Sequence, residues 1–189
     1  MDKIEPTDEE LARLVQSGNL DAFAMLVDRY QGKIERYAKK FVYDKDDIQD
    51  VIQDIFTKVY INIQTFDIKR KFSPWIYRIA HNELVNLLGK KKRAALPLFN
   101  IDVFFPRHLL NENSSRQELE RKSMKDVVSK CLNKLEEKYR EPVILFYLEE
   151  MDYKEISDIM QIPVSTVGTR INRAKKMMKP FLTNQGYAY

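Results

Sequence analysis

DYKEISDIMQIPVSTVGTRINRAKKMM, residues 152–178, is the stretch on which the reading of the fold turns. Its first part is a short helix from Tyr153 to Met160, with Ile156 and Ile159 on one side. A break follows at Gln161-Ile162-Pro163, and Ser165 opens a second helix. At 100° per residue, Val167, Ile171, Ala174 and Met178 of that helix fall in one stripe. Ser165, Thr169, Asn172, Arg173 and Lys176 lie opposite, with Thr166 and Arg170 at the margin. Two short helices across a tight turn, the second polar on one side, predict a DNA-binding helix-turn-helix. Residues 165–179 carry five basic side chains (Arg170, Arg173, Lys175, Lys176, Lys179) and no acidic one. An ordinary solvated helix mixes signs, so this face suits a polyanion. Its small polar groups fit base edges, and the later arginines and lysine fit phosphates.

Working outward, the rest of the chain is also helical. Thr7-Asp8-Glu9-Glu10 is a capping box, and Gly18-Asn19 closes the helix that it opens. A second helix is expected from Asp21 to Phe41. Asp44 then caps a long amphipathic segment with Ile48, Val51, Ile52, Ile55, Phe56, Val59, Tyr60 and Ile63 on its apolar face. Ser73-Pro74 reads as cap and first turn of a fourth helix burying Ile76, Ile79, Ala80, Leu84, Leu87 and Leu88. Residues 94–115 contain Pro97 and Pro106 and no helical period, and the polar run 111–115 reads as part of a linker. Seven large apolar residues, Leu96, Leu98, Phe99, Ile101, Val103, Phe104 and Phe105, mark that linker as a segment that docks rather than floats. Helical periodicity resumes near Gln117 and continues to about Leu182, and no alternating strand pattern of useful length is present. The expected fold is all-α: two small helical domains, 1–93 and 126–189, joined by a linker at 94–125.

Composition excludes several classes of function. The 189 residues are 44% apolar, with a formal charge of +4 and a single cysteine, Cys131. No internal disulfide or thiolate zinc site can form, and His81 and His108 fall in no metal-ligand spacing. Neither a Gly-rich phosphate loop nor a nucleophile–base pair is apparent, so no catalytic residue, metal or cofactor is expected. Cys131, beside Leu132 and Leu135, reads as core. The start of the sequence lacks the charged-then-apolar run of a secretory leader. No apolar run reaches the roughly 18 residues needed to cross a bilayer, so a cytoplasmic protein without membrane insertion is expected.

Charge is segregated in the first half. From Asp44 to Asp54 five aspartates stand against one lysine, and from Lys69 to Arg93 eight basic residues stand against Glu83 alone. One acidic and one basic helix face suit an adaptor between a basic protein and DNA.

These residues carry a family resemblance. Asp47-Ile48-Gln49-Asp50-Val51-Ile52-Gln53-Asp54-Ile55-Phe56 resembles region 2.2 of extracytoplasmic-function (ECF) sigma factors of the sigma-70 family. Phe72-Ser73-Pro74-Trp75-Ile76-Tyr77-Arg78-Ile79-Ala80-His81-Asn82 resembles regions 2.3 to 2.4. Tyr139-Arg140-Glu141-Pro142-Val143-Ile144-Leu145 and Tyr153-Lys154-Glu155-Ile156 resemble region 4. The resemblance implies core RNA polymerase as partner, with the β′ clamp met by Asp50, Gln53 and Asp54 and the β subunit as a further contact. It implies promoter DNA as well. The −10 element would be read as a single strand by the loop Gln64 to Lys71 and by Arg78, His81, Asn82 and Asn86. The −35 element would be read by Ser165, Thr166, Thr169, Arg170, Asn172, Arg173 and Lys176. An anti-sigma factor is a further partner that the family allows.

Trp75 and Phe72 sit beside the buried side of their helix, which favours core packing over base stacking. Three positions depart from the family pattern. Gln161 stands where glycine is usual, Ser157 where alanine is usual, and Gly168 where a basic residue is common. A left-handed backbone at Gln161 would be mildly strained. Gly168 removes a possible phosphate contact and costs about 1 kcal/mol in a helix interior, or instead lets the backbone approach DNA closely. A helix-turn-helix regulator that never joins polymerase is the alternative. It explains residues 126–182 but leaves both charged helices of the first half without a task.

Overall fold

The computed structural model describes residues 5–94 and 127–183. The linker's apolar cluster, Leu96 to Phe105, His108 and the tail from 184 onward lie outside the described residues. Among the described residues every regular element is helical.

In the first domain, α1 (Asp8–Gln16) opens with the expected capping box. Thr7 Oγ1 accepts from Glu10 N at 3.2 Å, and Glu10 Oε2 accepts from Thr7 N at 2.8 Å. Gly18 then takes φ 95°, a left-handed turn that lets Asn19 cap α2 (Leu20–Ala38). That helix starts one residue before the expected Asp21 and stops short of Phe41, which closes a tight turn through its amide to Ala38 O at 2.9 Å. Asp44 caps α3 (Lys45–Asn62), accepting from the amides of Asp46 and Asp47. A 3-10 turn (Ile63–Thr65) leads through a loop to α4 (Phe72–Ala94). The α4 start differs from expectation: Ser73 lies inside the helix, and Glu9 of α1 accepts from the Phe72 amide at 2.9 Å. A side chain distant in sequence therefore does the work predicted for a local cap.

The domain core is the predicted apolar face of α3 (Ile48, Val51, Ile55, Phe56, Val59) against Leu11, Leu26, Ile34, Phe72, Ile76 and Leu84. Tyr60 departs from that face; it is 47% exposed, with its ring 5.0 Å from Phe23. Phe72 is fully buried, and Trp75 is half-buried with its ring 5.2 Å from Phe66 and 5.5 Å from Phe72. Both pack in the core as expected.

The second domain comprises α5 (helical over 127–133), α6 (Glu137–Tyr147), α7 (Tyr153–Met160) and α8 (Val164–Thr183). Its core gathers Leu132, Leu135, Val143, Ile144, Leu145, Ile156, Ile159, Val167, Ile171, Ala174, Met178 and Leu182. Cys131 is buried beside them, and that burial raises its thiol pKa. It is a core residue, as read from the sequence. The two domains touch: α4 packs along α7, with α6 near α2 and α4 through side-chain contacts. No described helix is long and apolar enough to cross a membrane.

Candidate nucleic-acid and polymerase interfaces

Three surfaces emerge from these helices, each set by the opposite, buried side. On α3 the stripe Val51, Ile55 and Val59 faces inward, which turns Asp50, Gln53 and Asp54 into solvent. Neither Asp50 nor Asp54 makes an ion pair among the described residues. With Asp44 and Asp46 also exposed, this helix end presents concentrated negative charge. Nearer the other end of α3, Lys58 Nζ pairs with Glu83 Oε1 of α4 at 2.5 Å.

On α4, Arg78, Asn82 and Asn86 are exposed as expected. Asn82 and Asn86 line a cleft of about 410 Å³ shared with Lys58 and Asn62 of α3. Amide groups on an open cleft can hydrogen-bond an unstacked base edge, since both a donor and an acceptor stand on each side chain. His81 leaves this stripe. Its side chain is 15% exposed, with Nδ1 2.6 Å from Glu141 Oε1 of α6. In this arrangement it faces the other domain.

The loop preceding α4 is also engaged. Arg70 Nη2 donates to Asp158 Oδ2 at 2.6 Å, and Lys71 Nζ to Glu155 Oε1 at 2.7 Å, both carboxylates belonging to α7. The hydrogen bond to Glu155 raises the Lys71 pKa. Beneath these pairs lies a cleft of about 450 Å³ reaching Phe66, Trp75 and Arg78.

The third surface is α8. The α7 helix is held by a capping box between Asp152 and Glu155. The turn after it requires Gln161 at φ 54°, ψ 45°, the left-handed conformation that glycine would take without strain. Two side chains offset this. Gln161 Nε2 donates to Asp158 O at 2.5 Å, and Ser157 Oγ donates to Ile162 O at 2.5 Å. The serine at 157 thus ties the turn that the glutamine strains, a link between two departures that neither position signals alone.

The α8 helix begins at Val164, one residue before the expected Ser165. Val167, Ile171, Ala174 and Met178 are buried as predicted, joined by Leu182. Ser165, Thr169, Asn172, Arg173 and Lys176 are exposed, and Thr166 and Arg170 are half-buried at the margin. Thr169 Oγ1 is turned back to Ser165 O at 2.9 Å. Gly168 is half-buried, one position after the buried Val167. A Cβ there would sit 3.3 Å from Tyr153 Cε2, so the glycine makes room for that α7 ring.

Sequence reasoning missed the contacts between domains. Tyr37 and Tyr77 are 1% exposed, and their hydroxyls donate to Glu141 and Glu149 of the second domain. Burial, with these carboxylates nearby, raises both phenol pKa values. Arg140 Nη1 donates to Lys40 O at 2.9 Å.

Comparison with known proteins places the same segments in one family. The family model described as Sigma-70 region 2 matches residues 26–94, and that described as Sigma-70, region 4 matches residues 125–178. The chain is 32% identical over 174 residues to the ECF RNA polymerase sigma factor SigW of Bacillus subtilis, covering 87% of this chain and 91% of that one. It is 34% identical over 180 residues to the ECF RNA polymerase sigma-E factor of Haemophilus influenzae, covering 92% and 94%. Among solved structures, CnrH in complex with the cytosolic domain of CnrY aligns with a TM-score of 0.69 at 27% identity, covering 95% and 99%.

Proposed function

The chain belongs to the ECF RNA polymerase sigma factors, which direct promoter-specific transcription initiation, and from that premise we propose a division of labour among its three surfaces. Asp50, Gln53 and Asp54 on α3 meet the β′ clamp of core polymerase, a basic partner suited to an exposed acidic helix face. The loop Gln64 to Lys71 and the α4 residues Arg78, Asn82 and Asn86 receive the −10 element as a single strand. His81 joins them only when it leaves Glu141. Ser165, Thr166, Thr169, Asn172, Arg173 and Lys176, with Arg170 at the edge, enter the −35 major groove. Residues 1–93 and 126–189 act as the two working units, with 94–125 between them. Polymerase binding and promoter reading take place in the cytoplasm, and the chain contributes no chemistry of its own to RNA synthesis.

The observation that carries this reading is the separation of sign. Asp50 and Asp54, without ion pairs among the described residues, and a uniformly basic recognition helix stand in one small chain, with Asn82 and Asn86 on an open cleft between α3 and α4. A duplex-binding regulator would use only the second. Run-off transcription tests it: core polymerase plus this chain should initiate at promoters of one −35/−10 class, whereas core alone should not. Binding to duplex DNA with no polymerase-dependent initiation would favour the regulator.

A further inference from the structure

The positive charge of α8 is not spread evenly along the helix. Residues 164–169 carry no charged side chain, and the first cation, Arg170, is half-buried at the margin. Arg173, Lys175, Lys176 and Lys179 all follow it. In a helix-turn-helix the N-terminal residues of the second helix meet base edges. Guanine is most often read there by an arginine or lysine at its O6 and N7. The first turns of α8 lack that partner. Gly168 has no room for one either, since a Cβ alone would lie 3.3 Å from Tyr153 Cε2.

These turns offer different chemistry. Ser165, Thr169, Asn172 and Lys176 follow at helical spacing and are all exposed, so they form one row. Thr169 Oγ1 donates to Ser165 O at 2.9 Å. Its only polar hydrogen is thereby used within the helix, and the side chain has its methyl group left to present. The Asn172 side chain makes no hydrogen bond among the described residues, so its amide keeps both a donor and an acceptor to offer. Such an amide matches the N6–H and N7 edge of adenine, and a threonine methyl matches the 5-methyl of thymine. Three residues of helix rise about 4.5 Å, against ~3.4 Å between stacked base pairs, so the two side chains reach neighbouring pairs.

We propose that Asn172 and Thr169 determine the base specificity of the −35 surface, Asn172 selecting an adenine through its N6/N7 edge and Thr169 a thymine of the neighbouring pair through its methyl group. This rests on the reading that α8 enters the −35 major groove. Arg173 and Lys176 then hold phosphates and add affinity without base preference.

The test uses the full chain bound to core polymerase and a library of promoter-length duplexes randomised over the −35 segment. Retained duplexes should share adjacent A·T pairs. In one of them, 7-deazaadenine in place of the adenine removes N7 alone, and deoxyuridine in place of the thymine removes the methyl alone. The first change should weaken wild-type binding roughly fivefold, and the second about threefold. N172A should bind the unmodified duplex roughly tenfold more weakly and be indifferent to 7-deazaadenine. T169S keeps the hydroxyl and loses the methyl; it should lose about threefold and be indifferent to deoxyuridine. A purely structural role would lower affinity and leave both sensitivities in place. Variants as sensitive as wild type to the altered bases would therefore overturn the assignment, as would retained duplexes whose shared pairs are all G·C. Retention of duplexes with no shared −35 sequence, while initiation still depends on the −10 segment, would instead remove α8 from the −35 groove and the base assignment with it.

Discussion

On α8, Arg173 and Lys176 stand in solvent with no ion pair among the described residues, whereas Arg70 and Lys71 of the first domain's loop each hold a carboxylate of α7. Both regions look alike in sequence, as runs of basic residues with few acids. They differ because α8 lies at the edge of its own domain, while the loop lies where the domains meet. The carboxylates that occupy the loop lie 84 and 88 residues away along the chain. Basic charge in a sequence therefore marks a surface for nucleic acid without saying whether that surface is free.

The largest expected effect falls on the second domain alone. Ile156 is fully buried between α7 and its neighbours, and Ile156→Ala should cost about 2–5 kcal/mol. Thermal unfolding should show that domain melting early and −35 binding lost, with polymerase still bound through α3. Loss of polymerase binding as well would mean that the two halves are not separable.

A finer contrast compares the DNA faces. Asn82→Ala should slow promoter opening about tenfold, since one base-edge hydrogen-bonding group is lost, and leave −35 duplex affinity unchanged. Permanganate reactivity of the bubble reads that change directly. Arg173→Ala or Lys176→Ala should do the reverse: weaker −35 binding for all sequences, with the salt slope reduced by about one. If Asn82→Ala and Arg173→Ala affected the same step, the division between the faces would be wrong.

The smallest effect concerns the turn itself. Gln161→Gly removes a left-handed strain but also a hydrogen bond to Asp158 O, so stability should rise by only about 0.5–1 kcal/mol. Denaturant midpoints with unchanged slope measure it. A loss of stability would show that the Gln161 side chain, with Ser157, holds the turn more firmly than glycine relieves it.

What could be read from the sequence was local. The α3 and α8 stripes follow from helical period and side-chain type, and both helices bury most of the residues their patterns name. The Asp44 cap, the Thr7 capping box and the Gln161 backbone follow from neighbours within a few positions. Longer-range relations gave no such signal. Glu141 lies 104 residues from Tyr37 and 60 from His81, and in the sequence it is one more acid on an amphipathic helix. Helical period alone accordingly puts His81 on an open face. Glu9 taking the Phe72 amide, and Tyr153 filling the space above Gly168, are likewise pairings made by packing rather than by period.

The account depends most on the acidic face of α3 being the attachment point for polymerase. Titrating labelled core polymerase with wild type and with the double variant Asp50→Lys, Asp54→Lys measures this directly. Both side chains are exposed and make no ion pair among the described residues, so helicity and −35 duplex binding should be retained. Affinity for core polymerase should fall by roughly a hundredfold, since like charges placed against a basic partner cost several kcal/mol. Equal affinity of the two proteins for core polymerase would contradict the account.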